Sequence, residues 1–119
     1  MSLVIREHRK SDREGLVRCI GLLQDDIASI DPLHRMRRGK DFDTDAYVTR
    51  SFRQVKKHNG AVFIAEDEGN MIGCIIGVVH QYDPEDMENY PSIDGKILDL
   101  IVLRVYWGQR VGYELMQRL

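Results

Sequence analysis

The sequence predicts a single domain of the mixed α/β (α+β) class over residues 1–119. Apolar residues recur at steps of 4, 3, 4 and 3 from Leu16 to Ile30, which is the spacing of one face of a helix. Two later segments, Met71–His80 and Ile97–Leu103, are almost continuously apolar, which is typical of strands covered on both faces. Helical and strand-like segments in one short chain indicate helices packed on a sheet.

A strand and a helix are expected at the N-terminus. Residues 3–9 are apolar and then alternating, which predicts a strand. Ser11 and Glu14 have the spacing of a capping box, which predicts the start of the first helix. Asp31-Pro32 ends this helix, because the residue before a proline avoids helical backbone angles.

A second helix is expected after the basic loop 34–40. Asp43 or Thr44 begins it, and Asn59-Gly60 ends it. The face predicted to be buried comprises Tyr47, Val48, Phe52 and Val55.

A hairpin, a further strand and a last helix complete the prediction. Ala61–Ala65 is rich in β-branched and aromatic residues, and Glu66–Asn70 is the expected turn into the strand 71–80. The acidic loop 83–95 precedes the strand 97–103. The last helix follows Trp107, with a buried face predicted to comprise Val111, Leu115 and Leu119.

The composition excludes several classes of protein. Lysine and arginine number 17 against 19 aspartates and glutamates, so the net charge is −2 and no nucleic-acid partner is expected. No apolar run approaches the roughly 20 residues that cross a bilayer, and no signal-like segment is present, so a cytoplasmic protein without membrane contact is expected. Cys19 and Cys74 are predicted to be buried thiols, and the four histidines show no metal-ligand spacing.

The transition from the last strand to the last helix is the most informative segment. A helix N-terminus has unpaired amides and a partial positive charge, and Gly108 and Gly112 would let a ligand approach the backbone. This predicts either a phosphate-bearing ligand or a simple connection in which the glycines serve packing. Walker A and dinucleotide-binding glycine patterns are absent.

The stretch from Leu98 to Leu115, together with the order of elements, resembles the GNAT superfamily of acyl-CoA N-acyltransferases. The signature of that family is Arg/Gln-x-x-Gly-x-Gly/Ala. The six matching residues are Trp107, Gly108, Gln109, Arg110, Val111 and Gly112. Trp107 stands where the family usually has Arg or Gln, and Arg110 stands where it usually has the middle glycine.

The resemblance implies acetyl-CoA as cosubstrate and a mostly antiparallel mixed sheet flanked by helices. The pantetheine arm would pair with the backbone of Leu100, Ile101 and Val102, much as an added strand would. The pyrophosphate would lie on the amides of the turn and helix start. The implied cofactor-binding residues there are Gly108, Gln109, Arg110, Val111, Gly112 and Tyr113.

The reaction implied is transfer of the acetyl group to a primary amine of a small molecule or peptide. Asp99, the acid on the central strand, is the candidate base, since a carboxylate among apolar residues has a perturbed pKa. The alternative is that Asp99 points to the sheet edge or binds a neighbouring loop. The alternative functions are an inactive module that binds coenzyme A or a protein, and a structural interaction domain.

The chain departs from the family pattern at its C-terminus. The family usually continues with a strand, a helix and two more strands, so the resemblance predicts a domain truncated after the pyrophosphate-loop helix. An unpaired last strand is prone to association, so a homo-oligomer is expected. The acidic and basic loops would attract opposite kinds of acceptor, so no substrate follows from them.

Overall fold

A computed structural model describes all 119 residues, which form four strands and three helices. In chain order these elements are β1 (Leu3–Glu7), α1 (Arg13–Ser29), α2 (Thr44–Lys57), β2 (Ala61–Asp67), β3 (Asn70–Gln81), β4 (Ile93–Val102) and α3 (Val111–Arg118). Short 3-10 turns lie at Lys10–Asp12, Gly39–Asp41 and Arg104–Tyr106.

The strands form one antiparallel sheet in the order β1-β2-β3-β4. The predicted fold class is therefore confirmed: a mixed chain of helices and strands with an antiparallel sheet. Strand β4 pairs with β3 on one side and with no strand on the other. Self-association through this free edge stays a prediction.

Helices cover both faces of the sheet, as the apolar β3 segment predicts. Residues Cys74 and Ile76 of β3 join a hydrophobic cluster with α1 and α2. Residues Ile72 and Ile75 join a second cluster with α3 on the opposite face. Strand β3 contributes to both clusters because alternate side chains of a strand point to opposite faces of the sheet.

The N-terminus of α1 differs from the prediction. The Ser11–Glu14 capping box does not form, because a 3-10 turn over Lys10–Asp12 precedes the helix. The Asp12 carboxylate accepts a hydrogen bond from the Arg9 amide at 2.6 Å and forms a bidentate pair with the Arg6 guanidinium at 2.8 Å. A buried ion pair thus takes the place of the expected hydroxyl cap.

The hairpin and the last strand also differ in their bounds. Strands β2 and β3 extend further than predicted, so the turn narrows to Glu68-Gly69, both with positive φ. Strand β4 begins at Ile93, inside the predicted acidic loop, because Ile93 and Asp94 pair with Gln81 and His80 of β3. Backbone pairing extends a strand without requiring apolar side chains.

The apolar stripe of α1 is longer than the core that it covers. Leu16 and Ile20 are buried, whereas Ile27 is partly exposed and Ile30 is 79% exposed. The C-terminal turns of α1 therefore present apolar side chains beyond the hydrophobic cluster.

Cys19 and Cys74 are free, buried thiols, as predicted, and burial raises the pKa of both. None of the helices is both long enough and apolar enough to cross a bilayer.

The Arg6–Asp12 pair makes the free energy of unfolding depend on pH at low pH. Arg6 lowers the pKa of Asp12 from 3.8 to about 2, so the ionised carboxylate stabilises the folded state. This contribution is complete above about pH 4 and is lost as the pH falls toward 2. We expect Asp12→Asn to lower the free energy of unfolding at pH 7 by about 2 kcal/mol and to flatten its decline between pH 4 and 2, measured by urea titration.

Asp45→Asn is the matched control, because the Arg13–Asp45 pair is exposed. A decline with acid in Asp12→Asn as steep as in the wild-type protein would contradict this role of Asp12.

Candidate functional site

The segment between β4 and α3 makes a tight turn with two left-handed residues. Gly108 has φ +83° and Arg110 has φ +66°. The left-handed conformation suits glycine, but for arginine it costs about 1–2 kcal/mol. The Arg110 guanidinium lies 4.4 Å from the centre of the Tyr113 ring, which is a favourable cation–π contact that helps to hold this conformation.

The turn leaves a row of backbone donors without acceptors. None of the six consecutive amides from Gly108 to Tyr113 donates a hydrogen bond to a backbone carbonyl or a side chain. The next amide, that of Glu114, donates to the Arg110 carbonyl. Three of the six belong to the first turn of α3, where the helix dipole adds partial positive charge. Such an arrangement suits an anion with several oxygens.

A cavity of about 510 Å³ lies over this turn. Its lining comprises Leu23, Leu100, Val102, Tyr106, Trp107, Gly108, Arg110, Val111 and Gly112. The cavity thus brings together six of the residues for which the sequence implied cofactor contacts. Gln109 and Tyr113 lie in the same turn and are exposed, whereas Ile101 is buried.

The free edge of β4 forms one side of this site. The Leu103 amide donates to the Ile72 carbonyl at 2.8 Å. Together with the register, this bond shows which backbone N–H and C=O groups of β4 face β3. Backbone groups alternate along an antiparallel strand, so those of Ile101 face β3 and those of Leu100 and Val102 face the free edge. Of the three strand residues implied by the sequence, only Leu100 and Val102 can pair with an added ligand.

Trp107 occupies part of that edge. Its indole Nε1–H donates to the Val102 carbonyl at 2.7 Å, and its ring lies 5.2 Å from the Arg104 guanidinium. The family signature usually has Arg or Gln at this position. No sequence signal reveals the hydrogen bond, because the bond depends on the path of the turn.

A second cavity, of about 470 Å³, adjoins the first on the side of α1. It is lined mainly by apolar residues of α1 and of the end of β4, including Leu22, Ile27, Ile30 and Ile101, and Trp107 lines both cavities. The ion pair of Asp26 with Arg104, at 3.4 Å, lies at this groove. Sequence reasoning missed the groove, although the overlong apolar stripe of α1 signals it.

Asp99 lies half-buried on the face of β4 that is directed to α2. Its carboxylate accepts hydrogen bonds from the Tyr47 hydroxyl at 3.0 and 3.2 Å. Burial raises the pKa of Asp99, and the bond from Tyr47 partly opposes that shift. Burial and the charge of Asp99 raise the pKa of Tyr47 to about 12, so the phenol remains the donor.

The basic loop 34–40 lies apart from this site. The basic loop lines its own cavity of about 580 Å³, to which neither β4 nor the following turn contributes a residue. No three histidine, cysteine, aspartate or glutamate side chains come together in a metal-binding arrangement.

Comparison with known proteins identifies the family of the chain. Residues 27–119 match the model of the Acetyltransferase (GNAT) family, and the chain belongs to that family. No curated protein sequence matches the chain significantly.

Solved structures share its fold. An acetyltransferase from Vibrio fischeri is 21% identical with a TM-score of 0.69, and the match covers 97% of this chain and 81% of that one. A predicted acetyltransferase with acetyl-CoA from Clostridium acetobutylicum is 20% identical with a TM-score of 0.68, covering 98% and 70%. Glucosamine-6-phosphate N-acetyltransferase from Arabidopsis thaliana is 17% identical with a TM-score of 0.64, covering 99% and 71%.

The hydrogen bond from Tyr47 is expected to lower the pKa of the Asp99 carboxyl group. Tyr47→Phe removes the donor that stabilises the carboxylate, so the pKa of Asp99 should rise above its value in the wild-type protein. A ¹³C NMR titration of the Asp99 carboxyl measures it. Tyr106→Phe is the control, since it breaks a similar bond to Asp67 and should leave Asp99 unchanged. An unchanged or lower pKa in Tyr47→Phe would refute the assignment.

Proposed function

We propose that the protein is an N-acetyltransferase that moves the acetyl group of acetyl-CoA to a primary amine. Membership of the family supports acetyl transfer in general. The observation that carries the proposal for this chain is the row of six amides without acceptors beside the free edge of β4.

The residues of the site fit acetyl-CoA. The pyrophosphate suits the amides of Gly108 to Tyr113, which have no acceptor within the protein and lie at the N-terminus of α3. The amide groups of the pantetheine arm suit the outward backbone groups of Leu100 and Val102, which run along the same edge. Arg110 adds a cation at the turn, where a phosphate would be held.

The proposed chemistry is direct attack on the thioester. The nitrogen lone pair of the neutral amine forms the C–N bond with the acetyl carbon, and the C–S bond breaks to release the thiolate of coenzyme A. Asp99, acting directly or through a water molecule, accepts the proton that the nitrogen loses. Its raised pKa makes it a stronger base than an exposed carboxylate. Placement of the two reactants supplies most of the acceleration.

Binding to the turn is tested with two isosteric substitutions, one in the turn before α3 and one in the last turn of α3. Gln109→Glu places a negative charge beside the row of amides, so coenzyme A should bind about 3- to 10-fold more weakly at low salt. Gln117→Glu makes the same change of charge in the last turn of α3 and should bind coenzyme A normally. Isothermal titration calorimetry compares them. Equal affinities for the two variants would place the phosphates elsewhere.

The role of Asp99 is tested with Asp99→Asn, which retains an acceptor for Tyr47. We expect normal affinity for coenzyme A and a fall in kcat of about 100-fold or more in a thiol-release assay with a panel of amines. Because the raised pKa means that the carboxylate destabilises the fold at neutral pH, the variant should unfold at no lower urea concentration than the wild-type protein.

These measurements distinguish an active acetyltransferase from an inactive module that binds coenzyme A. A loss of less than fivefold would exclude Asp99 as the base. Binding of coenzyme A by the wild-type protein without turnover of any amine would favour the inactive binding module.

A further inference from the structure

The single tryptophan of the chain blocks part of the free edge of β4. The carbonyl of Val102 faces that edge, and the indole Nε1–H of Trp107 holds it at 2.7 Å. The ring contributes to the lining of both neighbouring cavities. A ligand that pairs with β4 at Val102 therefore meets an acceptor that a side chain already uses.

The Trp107 side chain is mostly exposed and makes few stabilising contacts. Trp107 is 59% exposed, so it does not anchor the core. Its polar contact is the bond to Val102, and its other marked contact is the exposed Arg104 guanidinium, 5.2 Å from the ring centre. Single hydrogen bonds and cation–π contacts at the surface contribute little net stability. The side chain can therefore leave the edge without unfolding the turn.

We infer that Trp107 is a reversible block of the free edge, which the pantetheine arm displaces when the donor binds. An amide N–H of the ligand replaces the indole N–H on the Val102 carbonyl, so one hydrogen bond is exchanged for another. Trp107 is thus a positioning residue that tunes affinity for the pantetheine part of the ligand and leaves recognition of the phosphates unchanged. This inference rests on the proposed function, because it takes coenzyme A as the ligand.

Two ligands separate the parts of the site. Coenzyme A carries the pantetheine arm, whereas 3′-phosphoadenosine 5′-diphosphate carries only the nucleotide and phosphates. Because Trp107 is the only tryptophan, its fluorescence reports on its own surroundings. Coenzyme A should change the intensity and wavelength of emission at saturation, and the nucleotide fragment should produce a much smaller change.

The variant Trp107→Phe keeps an aromatic ring and removes the N–H donor. Because no bond to the indole must be broken, it should bind coenzyme A about 2- to 10-fold more tightly than the wild-type protein. Its affinity for the nucleotide fragment should stay the same. Calorimetry with both ligands measures the two differences, and thermal unfolding establishes that the variant is folded.

The results distinguish a failure of the Trp107 block from a failure of the proposed function. If wild-type protein binds coenzyme A but Trp107→Phe binds it equally or more weakly, or if both ligands change the fluorescence alike, the block is refuted and the proposed function stands. If only Trp107→Phe binds coenzyme A, the block is stronger than inferred and the inference is supported. If neither protein binds coenzyme A, the proposed function and the inference both fail.

Discussion

Pairing of β4 with β3 on one side only is the constraint on which the site depends. The register fixes which side chains of β4 face each layer of helices and which backbone groups face outward. Asp99 is thereby directed to Tyr47 on α2, while Leu100 and Val102 present amides and carbonyls at the free edge. A shift of the register by one residue would exchange these roles and bury the wrong groups.

The site contains groups that the fold itself does not stabilise. Asp99 is a half-buried carboxylate whose pKa is raised, Arg110 adopts a left-handed conformation, and six amides lack acceptors. The first two features cost free energy in a protein without a ligand, and the amides, most of them at exposed residues, are left to bond with solvent. They all lie between Asp99 and Tyr113, whereas β2 and β3 are well buried and paired. Such concentration of unfavourable features is typical of functional sites, where the ligand satisfies them.

The two departures from the family signature have structural consequences at the same turn. Arg110 keeps the left-handed conformation that a glycine would adopt more easily, and its guanidinium packs on Tyr113. Trp107 donates to the Val102 carbonyl and lines both cavities. Both side chains lie beside the row of amides, and neither accepts a hydrogen bond from it.

The sequence by itself determined the order of elements, the two-sided burial of the sheet and the position of the turn before α3. These follow from local periodicity, because apolar spacing and turn residues report on burial within a segment. The tertiary structure alone decided that Asp12 replaces the Ser11 cap, that Ile101 faces β3, that Asp99 pairs with Tyr47 and that Trp107 covers Val102. These contacts depend on strand register and on residues distant in sequence, which no local pattern encodes.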